Sequence, residues 1–303
     1  MLRTNSFLGE ERFAELREVR ASAPETIAAR LAAREKRQQL TNNGKLFIVA
    51  ADHTARGALG VGSNPTAMAD RYELLDRLAL ALSRPGVDGV LGTPDIIDDL
   101  ALLGVLDNKV VVASMNRGGI RGSSFEFDDR FGAYSVDSIV RDRLDFAKTL
   151  LRINLSDPAT AATLHANAQA VTEAARAQLP IMLEPFLSEW RNGVATNLLD
   201  ADSVIASVAI ASGLGDTSAY TWMKLPVVAE MERVMAATTL PTLLLGGDPS
   251  GGPEENYRVW ENALALPGVR GLVVGRTMLY PPDGDVVAAV DTAAALVAAS
   301  ASS

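Results

Sequence analysis

The chain has no cysteine and only two histidines in 303 residues. The first absence excludes disulfides, thiolate metal sites, iron–sulfur clusters and cysteine nucleophiles, and the second leaves too few imidazoles for a three-His metal site. No uninterrupted apolar run approaches the ~18 residues of a spanning helix, and the opening MLRTNSFLGEERFAELREVR carries charge where a secretory signal needs an apolar core. No basic stripe offsets the net charge of −9, so neither a nucleic acid nor a membrane is expected as a partner. The cytoplasm is the expected address. What is present, 48% hydrophobic and 21% charged residues, suffices for one sizeable buried core.

The first 45 residues are charged and Ala-rich, with Phe13, Leu16, Ile27 and Leu31 at helical spacing and a closing Asn42-Asn43-Gly44 turn, so 1–45 is expected to be a helical extension. From Leu46 onward, short β-branched or Leu-rich runs alternate with amphipathic segments: LFIVAAD, VDGVLGT, KVVVASM, FAKTLLRIN, PIMLEPF, TWMKLPVV, PTLLLGG and GLVVGR. Asn64-Pro65 and Asp157-Pro158 are expected helix starts, and a last helix is expected over 285–298. Eight runs at about 32 residues per step match the ~30 of a βαβ unit and predict a (β/α)8 TIM barrel over 46–299. A doubly wound open sheet is the rival, but no GxGxxG follows the first run.

Barrel chemistry gathers at the carboxyl ends of strands. Run one ends in Asp52-His53, run four carries Lys148, Arg152 and Asn154 on one strand face, run five holds Glu184, and run six holds Lys224. A lysine inside TWMKLPVV that points inward loses hydration. Its pKa falls, a second cation such as Lys148 lowers it further, and the neutral amine can attack a carbonyl. The plain alternative is a buried ion pair with Glu184 or Asp52. Runs seven and eight end in Gly246-Gly247 and Gly275-Arg276, where barrels frequently bind phosphate, and Arg276 would clamp that anion. Arg117 and Arg121, in the glycine-rich loop after run three, are candidates for a second anion contact, and His53 for a contact to a substrate oxygen. Trp222 shares the strand parity of Lys224, and it and Tyr280 are candidate walls of the pocket, although ordinary packing is the expected role of both aromatics.

In their order on successive runs, AADH, the Lys148 strand, LEPF, TWMKLPV, LLLGG and VVGR resemble the class I, Schiff-base aldolases of the superfamily that includes deoxyribose-phosphate, archaeal-type fructose-bisphosphate and tagatose-bisphosphate aldolases. The resemblance covers Leu46 to about Tyr280 and is strongest to an actinobacterial branch associated with inositol catabolism. It implies cleavage of a phosphorylated keto-sugar or deoxy-sugar acid such as 5-dehydro-2-deoxygluconate 6-phosphate. Lys224 would form the imine, Asp52, Lys148 and Glu184 would handle protons, and Gly246, Gly247, Gly275 and Arg276 would hold phosphate. No cofactor or metal is implied, and a homo-oligomer is expected. The rivals are a deoxyribose-phosphate aldolase-like activity, a barrel isomerase using Asp52 and Glu184 with Lys224 as countercharge, a phosphate-binding sensor, and a Mg2+ site on Asp52, Glu184 and Asp248.

Overall fold

Runs too short and too β-branched for helices become parallel strands, each buried from both sides, and the ring they form closes. The computed structural model describes residues 6–41, 43–116, 118–246 and 252–301. The barrel strands are β1 (Leu46–Ala50), β2 (Gly89–Gly92), β3 (Val110–Ser114), β4 (Phe146–Ile153), β5 (Ile181–Arg191), β7 (Thr221–Pro226), β8 (Thr242–Leu245) and β9 (Val269–Val274), and β6 (Val194–Asn197) lies outside the ring. Neighbours pair in parallel in chain order, β5 passing to β7, and the β1–β9 pairing closes the circle. This is the (β/α)8 architecture expected from the runs.

The helices in chain order are α1 (Glu10–Ser22), α2 (Thr26–Ala33), α3 (Arg71–Ser83), α4 (Pro94–Leu102), α5 (Val136–Arg141), α6 (Ala159–Arg176), α7 (Ala201–Ser212), α8 (Met231–Ala236), α9 (Pro253–Leu264), α10 (Arg276–Leu279) and α11 (Val286–Ser300). Among the described residues, none is long and apolar enough to cross a membrane. Two expectations need correction. The first outer helix starts at Arg71 rather than at Asn64-Pro65, because the Asp70 carboxylate accepts from the Tyr72 and Glu73 backbone N–H groups and caps it there. Asn64 instead exchanges backbone hydrogen bonds with Val61 in a tight turn. The fifth strand also runs past the barrel rim and turns back through Asn192-Gly193 into antiparallel β6.

Side-chain parity divides the barrel interior into layers. Leu46, Ile48, Ala50, Val112, Phe146, Met182 and Leu243 belong to one buried apolar cluster, with Trp222 and Leu40 packed against it. Two residues further along their strands come Asp52, Ser114, Lys148, Glu184 and Lys224, all buried. The interior is thus apolar below and charged at the carboxyl end. Trp222 consequently packs edge-on against Phe146 in the lower layer and does not wall the charged pocket.

Residues 10–33 carry α1 and α2, and Leu40 beyond them packs against the lower apolar layer of the barrel. Phe13, Leu16 and Leu31 join the outer core. Buried Arg34 donates to the Lys109 and Arg143 carbonyls and to Asp145, and Arg37 pairs with Asp88 at 2.7 Å. Asp88 also accepts from the Phe47 backbone at 2.8 Å, which ties the segment to β1.

Candidate active site

A cavity of about 400 Å³ opens at the carboxyl ends of the strands. Asp52, His53, Lys148, Glu184, Lys224, Gly246, Gly275 and Arg276, all singled out in the sequence, line it together. Gly247, Arg117 and Asp248 lie outside the described residues. Arg121 is not on this wall. It is exposed and lines a neighbouring recess that shares Arg276 and the Gly57–Gly62 loop. Tyr280 lies in a separate cavity with Trp260 and Tyr257, and His165 is exposed on α6.

The polar layer is a chain of charge-assisted contacts. Lys224 Nζ donates to Glu184 Oε1 at 2.7 Å. Lys148 Nζ lies 2.6 Å from Glu184 Oε2 and donates to Asp52 Oδ2 at 2.8 Å. Ser114 Oγ donates to the same Asp52 oxygen at 3.2 Å. Parity brings these groups together: Ser114 on β3 is registered against Lys148 on β4, and Lys148 against Met182, two residues before Glu184 on β5.

Burial disfavours every charge here, so the neighbours decide which groups stay ionised. For Lys148, burial pushes the ammonium down, but Asp52 and Glu184 together outweigh it and hold its pKa above the usual lysine value. For Lys224 burial prevails: Glu184 opposes it, the charge of Lys148 reinforces it, and the pKa is lowered. Burial pushes both carboxyls up. Lys148 and Lys224 bring Glu184 down to about 2, and Lys148, His53 and Lys224 hold Asp52 well below the carboxylate range. Burial also takes His53 down to about 4, against the opposing pull of Asp52. Its Nδ1 stands 3.9 Å from Asp52 Oδ1 and has no hydrogen-bond partner among the described residues, so the imidazole is neutral near pH 7.

The other end of the cavity is small and polar. A Cβ on Gly275 would stand 2.2 Å from the Ala50 carbonyl oxygen, so only glycine lets β9 leave the barrel at that point. Arg276 Nη1 donates to the Gly60 carbonyl at 3.4 Å. Beside it, the buried Thr277 Oγ1 has no hydrogen-bond partner among the described residues. An orphaned buried hydroxyl on a cavity wall calls for a bound group. Among the described residues, no cluster of three or more His, Cys, Asp or Glu is placed to hold a metal.

Several lining residues escaped the sequence reading. Arg56 follows Asp52-His53 in a short 3-10 turn, and Phe186, Asn197 and Leu199 come from the overhanging hairpin and the chain just beyond it. The Asn192-Gly193 pair between alternating segments was the available sign of that hairpin. Arg152 shares the parity of Lys148 but turns away from the cavity. It binds Asp129 at 2.9 and 3.0 Å and Glu126 at 3.0 Å, pinning the loop that follows β3.

A closed parallel barrel with two buried lysines on one glutamate, at the mouth where barrel enzymes do their chemistry, defines the general class. Within it, the chain belongs to the Cgl0159-like family, whose model matches residues 44–294. The structure of Cgl0159 from Corynebacterium glutamicum (Brevibacterium flavum) is 67% identical, with a TM-score of 0.95 over 97% of this chain and 99% of that one. More distant likenesses share the fold. One is an archaeal fructose-1,6-bisphosphate aldolase with its catalytic lysine bound to the carbinolamine intermediate of the substrate, 20% identical, with a TM-score of 0.61 over 89% of this chain and 99% of that one. Another is a Schiff base forming fructose-1,6-bisphosphate aldolase, 18% identical, with a TM-score of 0.58 over the same shares. No match was found among curated proteins.

Proposed function

We propose that the chain is a class I aldolase that cleaves a phosphorylated keto-sugar or deoxy-sugar acid through an imine on Lys224. The observation that carries this reading is the opposite fate of the two lysines. Lys148 keeps its proton between two carboxylates, while buried Lys224, on the cavity wall, is pushed toward the neutral amine. A buried amine whose pKa is lowered is more readily the neutral nucleophile that carbonyl condensation needs. The fold shared with Schiff-base aldolases supports the same reading.

In the proposed cycle, Lys224 Nζ attacks the substrate ketone, and a proton passes from the nitrogen by way of Glu184 Oε1 to the ketone oxygen, giving the neutral carbinolamine and the free carboxylate again. A second proton, from solvent, lets that oxygen leave as water, and a protonated imine remains. The bond between the carbons α and β to the imine then breaks. Its electron pair moves toward nitrogen and forms an enamine, while the β-hydroxyl gives its proton to Glu184 or Asp52 and departs as the aldehyde. Protonation of the enamine carbon and attack by water on the imine release the second product and regenerate the amine. Phosphate bound by Gly246, Gly275, Arg276 and Thr277 positions the carbonyl away from the breaking bond. The substrate we favour is 5-dehydro-2-deoxygluconate 6-phosphate.

Incubation with that compound and with phosphorylated ketoses, in the presence of a chelator, tests the proposal through the aldehyde released. Steady aldehyde production from at least one of them is expected, and none from any contradicts the reading. The 2.7 Å contact to Glu184 also suits an isomerase in which Lys224 is only a countercharge, and undiminished turnover in Lys224→Met selects that alternative.

A further inference from the structure

Arg56 is a cavity-lining charge for which the cleavage chemistry above has no use. It ends the 3-10 turn that follows β1, and its side chain is three-quarters buried. Its Nε donates to the Gly119 carbonyl at 3.4 Å, a long bond, and its Nη2 stands 3.9 Å from Glu126 Oε1. That carboxylate is already engaged: Oε1 accepts from Arg152 at 3.0 Å and Oε2 from the Gly122 backbone at 2.9 Å. Asp129 is likewise taken up by Arg152. The remaining guanidinium donors of Arg56 have no hydrogen-bond partner among the described residues. A guanidinium in this state is a planar fork waiting for a carboxylate or phosphate.

Its position matters as much as its free donors. The side chain reaches toward the loop after β3, whose Glu126 and Asp129 hold Arg152 on β4. Arg276 follows β9 and lies against Gly60. Arg56 stems from the loop after β1, beside β9 in the ring, but its side chain extends toward the loop between β3 and β4, whereas Arg276 stays at the end of β9 and Lys224 lies on β7 of the same cavity. The two guanidiniums therefore offer anion contacts on two separate parts of one cavity wall.

We propose that Arg56 is a specificity-determining residue that binds a second anionic group, carboxylate or phosphate, at the end of the substrate remote from the phosphate held near Arg276. The inference deepens the aldolase reading and rests on it for the identity of the ligand as substrate. Burial and the charge of Arg152 outweigh the support of Asp129, Glu184 and Asp52 and lower the Arg56 pKa, and an anion from the ligand would offset that. The substrate class is a phosphorylated keto compound charged at both ends.

Three probes without a ketone test the binding apart from the imine: glucitol 6-phosphate with one anion, 6-phosphogluconate with a carboxylate added, and glucitol 1,6-bisphosphate with a second phosphate. Their Kd values are measured by titration calorimetry on the full chain and on Arg56→Met and Arg56→Lys. The wild-type chain should bind one two-anion probe about tenfold tighter than glucitol 6-phosphate, and the preferred probe identifies the anion. Arg56→Met should abolish the preference while leaving glucitol 6-phosphate within about twofold, and Arg56→Lys should restore part of it. A wild-type chain with no preference overturns the proposal. So does an Arg56→Met variant that weakens all three probes alike, the mark of a merely structural arginine. Failure of the imine reading would show separately, as the lack of a covalent adduct on Lys224, and would leave the calorimetric result standing.

Discussion

Lys148 and Lys224 bind the two oxygens of one carboxylate, Glu184, at 2.6 and 2.7 Å, and only Lys148 also holds Asp52, at 2.8 Å. Both amines are about equally buried. The additional carboxylate helps to raise the Lys148 pKa, and the charge of Lys148 helps to lower that of Lys224. The division of labour between the two lysines follows from this one asymmetry.

Replacing Lys148 by Met removes a charge that lowers the Lys224 pKa, so the acid limb of imine formation should move to higher pH. Loss of the proton handler should slow cleavage by about 10²-fold or more. Two buried carboxylates left with one cation between them should destabilise the fold by about 3–5 kcal/mol. The pH profile of borohydride trapping and urea unfolding of the variant measure these effects. An unshifted profile would mean that Lys148 does not tune Lys224.

Acid should weaken the fold in two stages with the same sign. His53 falls from 6.5 to about 4 in the folded chain, so between these values the unfolded chain binds more protons and stability drops as pH drops. Glu184 falls from 4.5 to about 2, so its contribution, present above pH 4.5, is lost as the pH approaches 2. That contribution is on the order of 3 kcal/mol. Urea unfolding at pH 7, 5 and 3 should give successively lower stabilities. In a His165→Gln background the single remaining imidazole signal should titrate near 4, and a midpoint at 6.5 or above would contradict the buried neutral imidazole.

The barrel was legible because parallel strands covered on both faces leave continuous apolar runs, and the polar layer because Lys148, Glu184 and Lys224 each interrupt such a run at inward parity. The helix start at Asp70 was missed because Asn64-Pro65 carries the same kind of signal, and only the tertiary course of the β1 loop decides between them. Arg56 was invisible for a different reason. Nothing local separates a loop arginine that enters a cavity from one in solvent, and its role emerges only once Arg152 has claimed the acids nearby. Arg121, which the same reasoning placed near the substrate, lines the adjoining recess instead.

The phosphate end makes a steric prediction. In Gly275→Ala the new methyl would meet the Ala50 carbonyl at 2.2 Å and His53 Cε1 at 3.0 Å, and β1 and β9 cannot part without opening the barrel. A loss of about 1–3 kcal/mol is expected, together with weakened binding of sugar phosphates. Gly252→Ala, whose added carbon meets nothing within 4 Å, is the control and should stay within ~0.5 kcal/mol. Thermal unfolding and phosphate titration of both variants check this, and equal behaviour of the two would refute the close approach at Gly275.

Reduction with borohydride in the presence of a cleavable phosphorylated keto compound, followed by peptide mapping in a mass spectrometer, bears most directly on the nucleophile. The account predicts one stable adduct per chain, on Lys224, and none in Lys224→Met. An adduct on Lys148 or another lysine, or a substrate that is cleaved with no adduct at all, would contradict it.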